Sequence, residues 1–297
     1  MDLQTKYKTL RICLTSNCNI RCFYCCSEGH RGEFSIFNQE NACKLIASAY
    51  DILKITRVKY TGGEPLLFGD LFSTIEQINH DYPNRIQQTI VTNGVLFNLL
   101  EQLVKKFPFL GITLSIPSLN SGIFKKVVQR GEDQFENIMK SLNLLCNNGK
   151  PFKINYVIIK GVNDSREHLE DILTLAYKNH NCNLRFLAPI KNNVNNLNEK
   201  YLINSSDFIE TLQNQFGFKV TSDKRSHIFL KNGNINIKYI LSFCASSCNN
   251  CPEDKTSLWV TPEGKLRTCC YGNMKEKEHL ISDWKLKTVN RQLRKYK

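Results

Sequence analysis

The stretch Cys13–Cys25, CLTSNCNIRCFYC, puts four cysteines into thirteen residues directly after a short apolar run, KTLRIC. Three of them, Cys18, Cys22 and Cys25, follow the spacing C-x3-C-x2-C. In a reducing compartment such a cluster reads as a metal or redox site rather than as a disulfide framework. The thirteen cysteines of the chain are odd in number and fall into two groups, Cys13 to Cys26 and Cys244 to Cys270, with Cys43, Cys146 and Cys182 scattered between. Paired disulfides would not distribute that way, and isolated cysteines behave as small buried hydrophobes.

Outward from this loop, short runs rich in β-branched and aromatic residues recur, each closed by Gly, Pro or Asn: RVKYTGG, QTIVTNG, GITLSIP, FKINYVII and NLRFLAP. With KTLRICLT they make six predicted strands. Between them apolar residues return at helical spacing, as Leu45, Ile46, Ala49, Ile52 and Leu53 do, and Leu169, Ile172, Leu173 and Ala176. Strand followed by helix, repeated, predicts parallel βαβ units. In barrel-type α/β folds the chemistry gathers at the C-terminal ends of strands, and the cysteine loop, YTGGEP, VTNG and LSIPS all begin there. The fold class read from this pattern is α/β, a partial (β/α)6 TIM-type barrel over residues 1–190. After the Asn-rich IKNNVNNLN the texture shifts to shorter elements, which predicts a small cysteine-rich α+β extension over 191–297.

The chain of 297 residues is 41% hydrophobic and 23% charged, within the globular range. It lacks an apolar run of about 18 residues and a secretory signal at its start, so the expected location is cytoplasmic, away from membranes. A net charge of +13 favours an anionic partner without specifying nucleic acid, since solvated basic faces accumulate the same total.

Three thiolates suit a four-iron cluster that keeps one iron open, because such clusters are held by Cys thiolates. Zinc is the alternative, although zinc loops favour matched C-x2-C pairs. Cys18, Cys22 and Cys25 after the first strand, Tyr24 beside the last of them, and Gly62-Gly63-Glu64-Pro65 after the second together resemble the radical S-adenosylmethionine (SAM) superfamily. The glycines allow close backbone approach, and Glu64 offers a carboxylate or backbone contact for an ammonium group. The resemblance implies a 4Fe–4S cluster that chelates SAM and, when reduced, splits it to a 5′-deoxyadenosyl radical. It also implies an electron donor such as flavodoxin or ferredoxin.

From about Leu10 to Pro189 the segments LRICLTSNCNIRCFYC, RVKYTGGEPLL, IVTNGVL, LSIPSLNSGIFKKV, KINYVIIKGVND and LRFLAPI resemble the GTP 3′,8-cyclase family of molybdenum-cofactor synthesis, in its order. The resemblance implies SAM contacts at Thr92, Asn93 and Ser115. It also implies basic groups for a triphosphate or SAM carboxylate at Arg11, Arg57, Lys59, Lys153 and Arg185. Pairing of those cations with carboxylates such as Glu64 is the alternative. For the second cysteine group it implies an auxiliary 4Fe–4S cluster on Cys248, Cys251 and Cys269, with Cys244 available as a fourth ligand and zinc as the rival metal. Cys26 and Cys270 neighbour ligands without being assigned as such.

Three departures separate the chain from cyclase chemistry. PEDKTSLW follows Cys251 where the family carries arginines, the gap before Cys269 is longer, and the final RQLRKYK has no Gly-Gly. The reading is therefore a radical SAM enzyme acting on a small anionic nucleotide, nucleoside or sugar-type substrate. The cyclase itself, a peptide-modifying maturase and a zinc protein binding nucleic acid stand as alternatives. The ten or so residues before the first strand leave no leader-peptide domain for the maturase.

Overall fold

A computed structural model describes residues 7–27, 35–130, 132–191, 195–224, 226–241, 256–268, 279–280 and 286–296. The six expected strands form as β1 (Thr9–Cys13), β2 (Arg57–Thr61), β3 (Gln87–Thr92), β4 (Gly111–Ser115), β5 (Phe152–Val157) and β6 (Cys182–Leu187). All pair in parallel with their neighbours, in chain order. Helices α1 (Gln39–Leu53), α2 (Leu71–Asp81), α3 (Phe97–Lys106), α4 (Ser121–Val127), α5 (Phe135–Asn147) and α6 (Arg166–Lys178) supply the crossovers.

Alternation along the strands separates two faces. Leu10, Ile12, Val58, Tyr60, Ile90, Leu114, Ile154, Tyr156, Leu184 and Phe186 are buried in one core with Leu45, Ile46 and Ala49 of α1 and Leu169 and Ile172 of α6. The opposite parity carries Arg11, Arg57, Lys59, Thr89, Thr113, Ser115, Lys153, Asn155 and Arg185, with Arg11, Lys59 and Thr89 in register, Thr113 and Lys153 in register, and Ser115, Asn155 and Arg185 in register across neighbouring strands. This polar face is concave. In a flat sheet, strands five places apart would lie roughly 24 Å from each other, yet the charge of Arg11 on β1 bears on Arg185 of β6.

Helix boundaries follow from local chemistry. Asn38 caps α1 by accepting from the Asn41 N–H at 2.9 Å, and Asn120 caps α4 through Ile123 N–H at 3.0 Å. Such caps satisfy donors that a helix start leaves open.

The strands beyond residue 190 continue this sheet. After α7 (Ser205–Phe216), β7 (Lys219–Lys224), β8 (His227–Asn232) and β9 (Ile235–Ile240) form an antiparallel meander whose last strand pairs in parallel with β6. At the other edge β10 (Ser257–Val260) pairs in parallel with β1, followed by antiparallel β11 (Lys265–Arg267) and β12 (His279–Leu280). Gly264, at φ 81°, makes the turn from β10 to β11. The twelve-stranded order runs β12-β11-β10-β1-β2-β3-β4-β5-β6-β9-β8-β7, and no pairing joins its ends among the described residues. It is an α/β sheet whose parallel run has eight strands, β10-β1-β2-β3-β4-β5-β6-β9. After it comes α8 (Leu286–Arg294). Among the described residues no helix is long and apolar enough to cross a membrane.

Candidate functional site

The cysteine loop leaves β1 and is tied down on three sides. Below it, Gly63 N–H donates to the Thr15 carbonyl and Glu64 N–H to the Asn17 carbonyl, both at 2.7 Å. A Cβ on Gly62 would stand 2.6 Å from the Thr15 oxygen, and one on Gly63 would collide with the Asn17 carbonyl. The glycine pair therefore admits the chain's own cysteine loop, a closer approach than any side chain permits. On a second side, residues 21–23 zip against the end of α4: Arg21 N–H to Arg130 O (3.2 Å), Gln129 N–H to Arg21 O (2.7 Å) and Phe23 N–H to Val127 O (3.1 Å). Arg130 also donates through its guanidinium to the Cys18 carbonyl at 2.8 Å. On the third side the Phe23 ring packs 4.8 Å from that of Tyr201, and Asn195 Nδ2 donates to the Tyr24 carbonyl at 3.1 Å.

These ties gather Cys18, Cys22 and Cys25 closely enough for Cys22 to feel both others and for Cys18 to feel Cys25. Burial first, then neighbouring charge, pushes Cys18 up to about 11 and Cys22 well above the usual thiol range. Tyr24, whose phenol is hydrogen-bonded to Cys22, is raised in the same way. Cys25 is exposed and accepts the Ser27 N–H at 3.4 Å. Metal sites take such ligands as thiolates, so loading releases protons.

Glu64 is fully buried, and burial lifts its carboxyl to about 7 against the hydrogen bonds that lower it. One oxygen accepts from Thr92 Oγ1 at 2.7 Å and Leu66 N–H at 3.1 Å; the other accepts from Asn93 N–H at 2.8 Å. The carboxylate thus braces the ends of β2 and β3, and the Glu64 contact facing the cysteine loop is its backbone N–H. Pro65 opens the single 3₁₀ turn Pro65–Leu67 that Glu64 caps. The Thr92 hydroxyl is likewise engaged inside the protein, donating to Glu64 and accepting Gly94 N–H at 3.0 Å. Asn93 reaches the loop directly, with Nδ2 2.8 Å from Asn19 Oδ1 and 3.7 Å from Cys18 Sγ. Asn19 Nδ2, in the residue that follows Cys18, is a buried donor without a hydrogen-bond partner. Three clustered thiols and one orphaned donor fit a thiolate-held cluster.

Ser115 stands on the concave face, in register with Asn155, which is in register with Arg185. The five basic residues come together there. Burial, then the charges of Arg11, Arg185, Lys153 and Arg57, brings Lys59 down to about 7. Lys153 and Arg185 are lowered by burial and by like neighbours. Among the described residues, none of Arg57, Lys59, Lys153 and Arg185 lies in an ion pair. Pairing with Glu64, the alternative from sequence, is not seen, since its oxygens are taken. Cys244, Cys248, Cys251, Cys269 and Cys270 lie outside the described residues. The strands that flank most of them in the chain, β9 and β10, sit at opposite edges of the parallel run.

Arg130, Asn195, Tyr201 and Trp259 were missed from the sequence. Only Trp259 carried a local signal: in SLWV it alternates with Leu258 and Val260, which are buried at 0% and 2% exposure.

A barrel-type sheet with three thiols above β1 and a glycine pair beneath them defines the class, and residues 12–176 match the family model of the radical SAM superfamily. The chain belongs to that superfamily. Within it, the chain is 31% identical over 277 residues to the GTP 3′,8-cyclase of Clostridium botulinum (strain Okra / Type B1), spanning 90% of this chain and 82% of that protein. It is 30% identical over 308 residues to that of Aquifex aeolicus (strain VF5), at 95% and 90%. In fold it is similar to Streptococcus suis SuiB bound to S-adenosylmethionine, with a TM-score of 0.66, 14% identity and 93% of this chain covered. The chain spans 63% of SuiB, less than two thirds of its length. Native anSMEcpe with bound AdoMet gives a TM-score of 0.63 at 15% identity, over 96% of this chain and 79% of that one. The protein is a radical SAM enzyme whose cofactors are 4Fe–4S iron-sulfur and SAM.

Proposed function

We propose that Cys18, Cys22 and Cys25 hold the SAM-binding cluster and that the substrate is a phosphorylated small molecule seated on the concave cationic face. When bound, cluster and SAM supply a 5′-deoxyadenosyl radical, the hydrogen-abstracting agent, on receipt of an electron from a flavodoxin- or ferredoxin-type donor. The chain's own work is placement. Gly62, Gly63 and Arg130 set the height of the cysteine loop, Asn93 and Asn19 present amides beside Cys18, and Ser115 stands on the wall between that rim and the cations. We assign a second cluster to Cys248, Cys251 and Cys269, with Cys244 as its potential fourth ligand.

The observation that carries this reading is charge without counter-charge. Inward-facing cations are costly unless partnered, and Lys59, Lys153 and Arg185 have no carboxylate within ion-pair distance among the described residues. A triphosphate supplies what is missing, and the relatives named GTP 3′,8-cyclase make GTP the first candidate. Each charge-assisted contact to a phosphate contributes roughly 1.5 to 3 kcal/mol.

The test is equilibrium dialysis of anaerobic holoenzyme against GTP. The triple variant Lys59→Ala/Lys153→Ala/Arg185→Ala is expected to lose measurable binding while keeping its iron and its SAM cleavage. Wild-type affinity in that variant would sink the anion reading. Tight binding of inorganic tripolyphosphate without GTP binding would keep the anion and replace the nucleoside.

A further inference from the structure

Trp259 sits where a core residue would not. Its neighbours Leu258 and Val260 face the helices and are buried, so Trp259 faces the concave side. In register it lies between Arg267 of β11 and Arg11 of β1, and Arg11 in turn lies beside Lys59 of β2. Register partners share a face, so an indole stands within a row of cations. The Arg11 guanidinium carbon is 4.2 Å from the indole centroid. The guanidinium is weakly hydrated and packs well on aromatic faces. Its N–H groups lie in its own plane, so a ring beneath it leaves them directed sideways along the wall.

Arg11 needs such a hold. Its charge is the strongest of the neighbouring cations acting on Lys59, and it acts on Arg185 as well. Repulsion from those neighbours opposes its place in the row, and the indole contact acts against that repulsion. Preorganising a binding group removes part of the ordering cost of binding. We infer that Trp259 is a positioning residue of the anion site, one that keeps Arg11 in the row before the substrate arrives.

This inference rests on the anion reading proposed above, and its test separates the two. Anaerobic holoenzyme is dialysed against inorganic tripolyphosphate and against GTP. Trp259→Leu is expected to weaken tripolyphosphate binding roughly threefold to thirtyfold, the span of a cation–π contact. Trp259→Phe should recover most of the loss, and Trp259→Leu should add nothing in an Arg11→Ala background. Iron content should stay at the wild-type level throughout. Should the Leu variant lose its iron, Trp259→Met takes its place. Wild-type binding in the Leu variant, or an equal loss with and without Arg11, overturns the role of Trp259 and leaves the anion site standing. A wild-type protein that binds neither probe overturns the anion site and this inference together.

Discussion

The rim around the cysteine loop and the wall beneath it treat polar atoms in opposite ways. At the rim, the Glu64 oxygens, the Thr92 hydroxyl, the Arg130 guanidinium and the glycine N–H groups all find partners within the protein. On the wall, Lys59, Lys153 and Arg185 gather charge of one sign with no carboxylate in ion-pair distance among the described residues. Satisfied groups fix a position; uncompensated charge waits for something from outside. The same buried setting thus makes a scaffold in one place and a receptor in the other.

The comparison breaks most sharply at the thiols. Cys22→Ala should abolish SAM cleavage and remove about half the iron if a second four-iron cluster is present, read by iron and sulfide assay and by 5′-deoxyadenosine formation. Full iron and full cleavage in that variant would refute the assignment of the cluster to this loop.

A smaller effect is expected where the rim depends on shape alone. Gly63→Ala should cost about 1–3 kcal/mol, because the added carbon meets a backbone carbonyl that cannot swing away. It should also lower cluster occupancy by displacing Asn17 and the cysteines after it. Gly69→Ala, with nothing within 4 Å of the added carbon, is the control and should be near neutral. Equal melting temperatures and iron contents for the two variants would remove the rim's claim to tight fit.

The wall answers to pH. Lys59 sits near 7 because burial and like charges disfavour its proton. A bound anion favours that proton, so binding takes one up. Below about 7 Lys59 is already charged; as pH rises above that value, tripolyphosphate affinity should fall by at most about tenfold per unit. Lys59→Arg should flatten this slope between pH 7 and 9. Dialysis at stepped pH reads the result, and an unchanged slope in the Arg variant would take Lys59 out of the site.

Much of this was legible in the sequence for a local reason. β-branched runs such as KINYVII, ended by Gly, Asn or Pro, and helical spacing such as Leu169, Ile172, Leu173 and Ala176, report on a few neighbouring residues at a time. The cysteine spacing is equally local. What escaped was assembled from far apart. Arg130 meets Cys18, Tyr201 meets Phe23 and Trp259 meets Arg11 only because the sheet curls, and no window of the chain contains both members of a pair. Glu64 shows the same limit. A carboxylate after a glycine pair reads as a carboxylate or backbone contact for an ammonium group, and nothing local shows that Thr92 and Asn93, at the end of β3 beyond α2, are two of its three partners.

The attachment of β10 to β1 has a temporal consequence. Thr9 pairs with Ser257, so during synthesis the outer edge of β1 stays open until nearly all the described chain has emerged, and β6 must likewise wait for β9. Pairings of such long sequence separation form late, and an unpaired strand edge is a template for other chains. For this protein the hazardous interval is birth rather than maturity: the strand that leads into the cysteine loop precedes by far the strand that closes its outer edge.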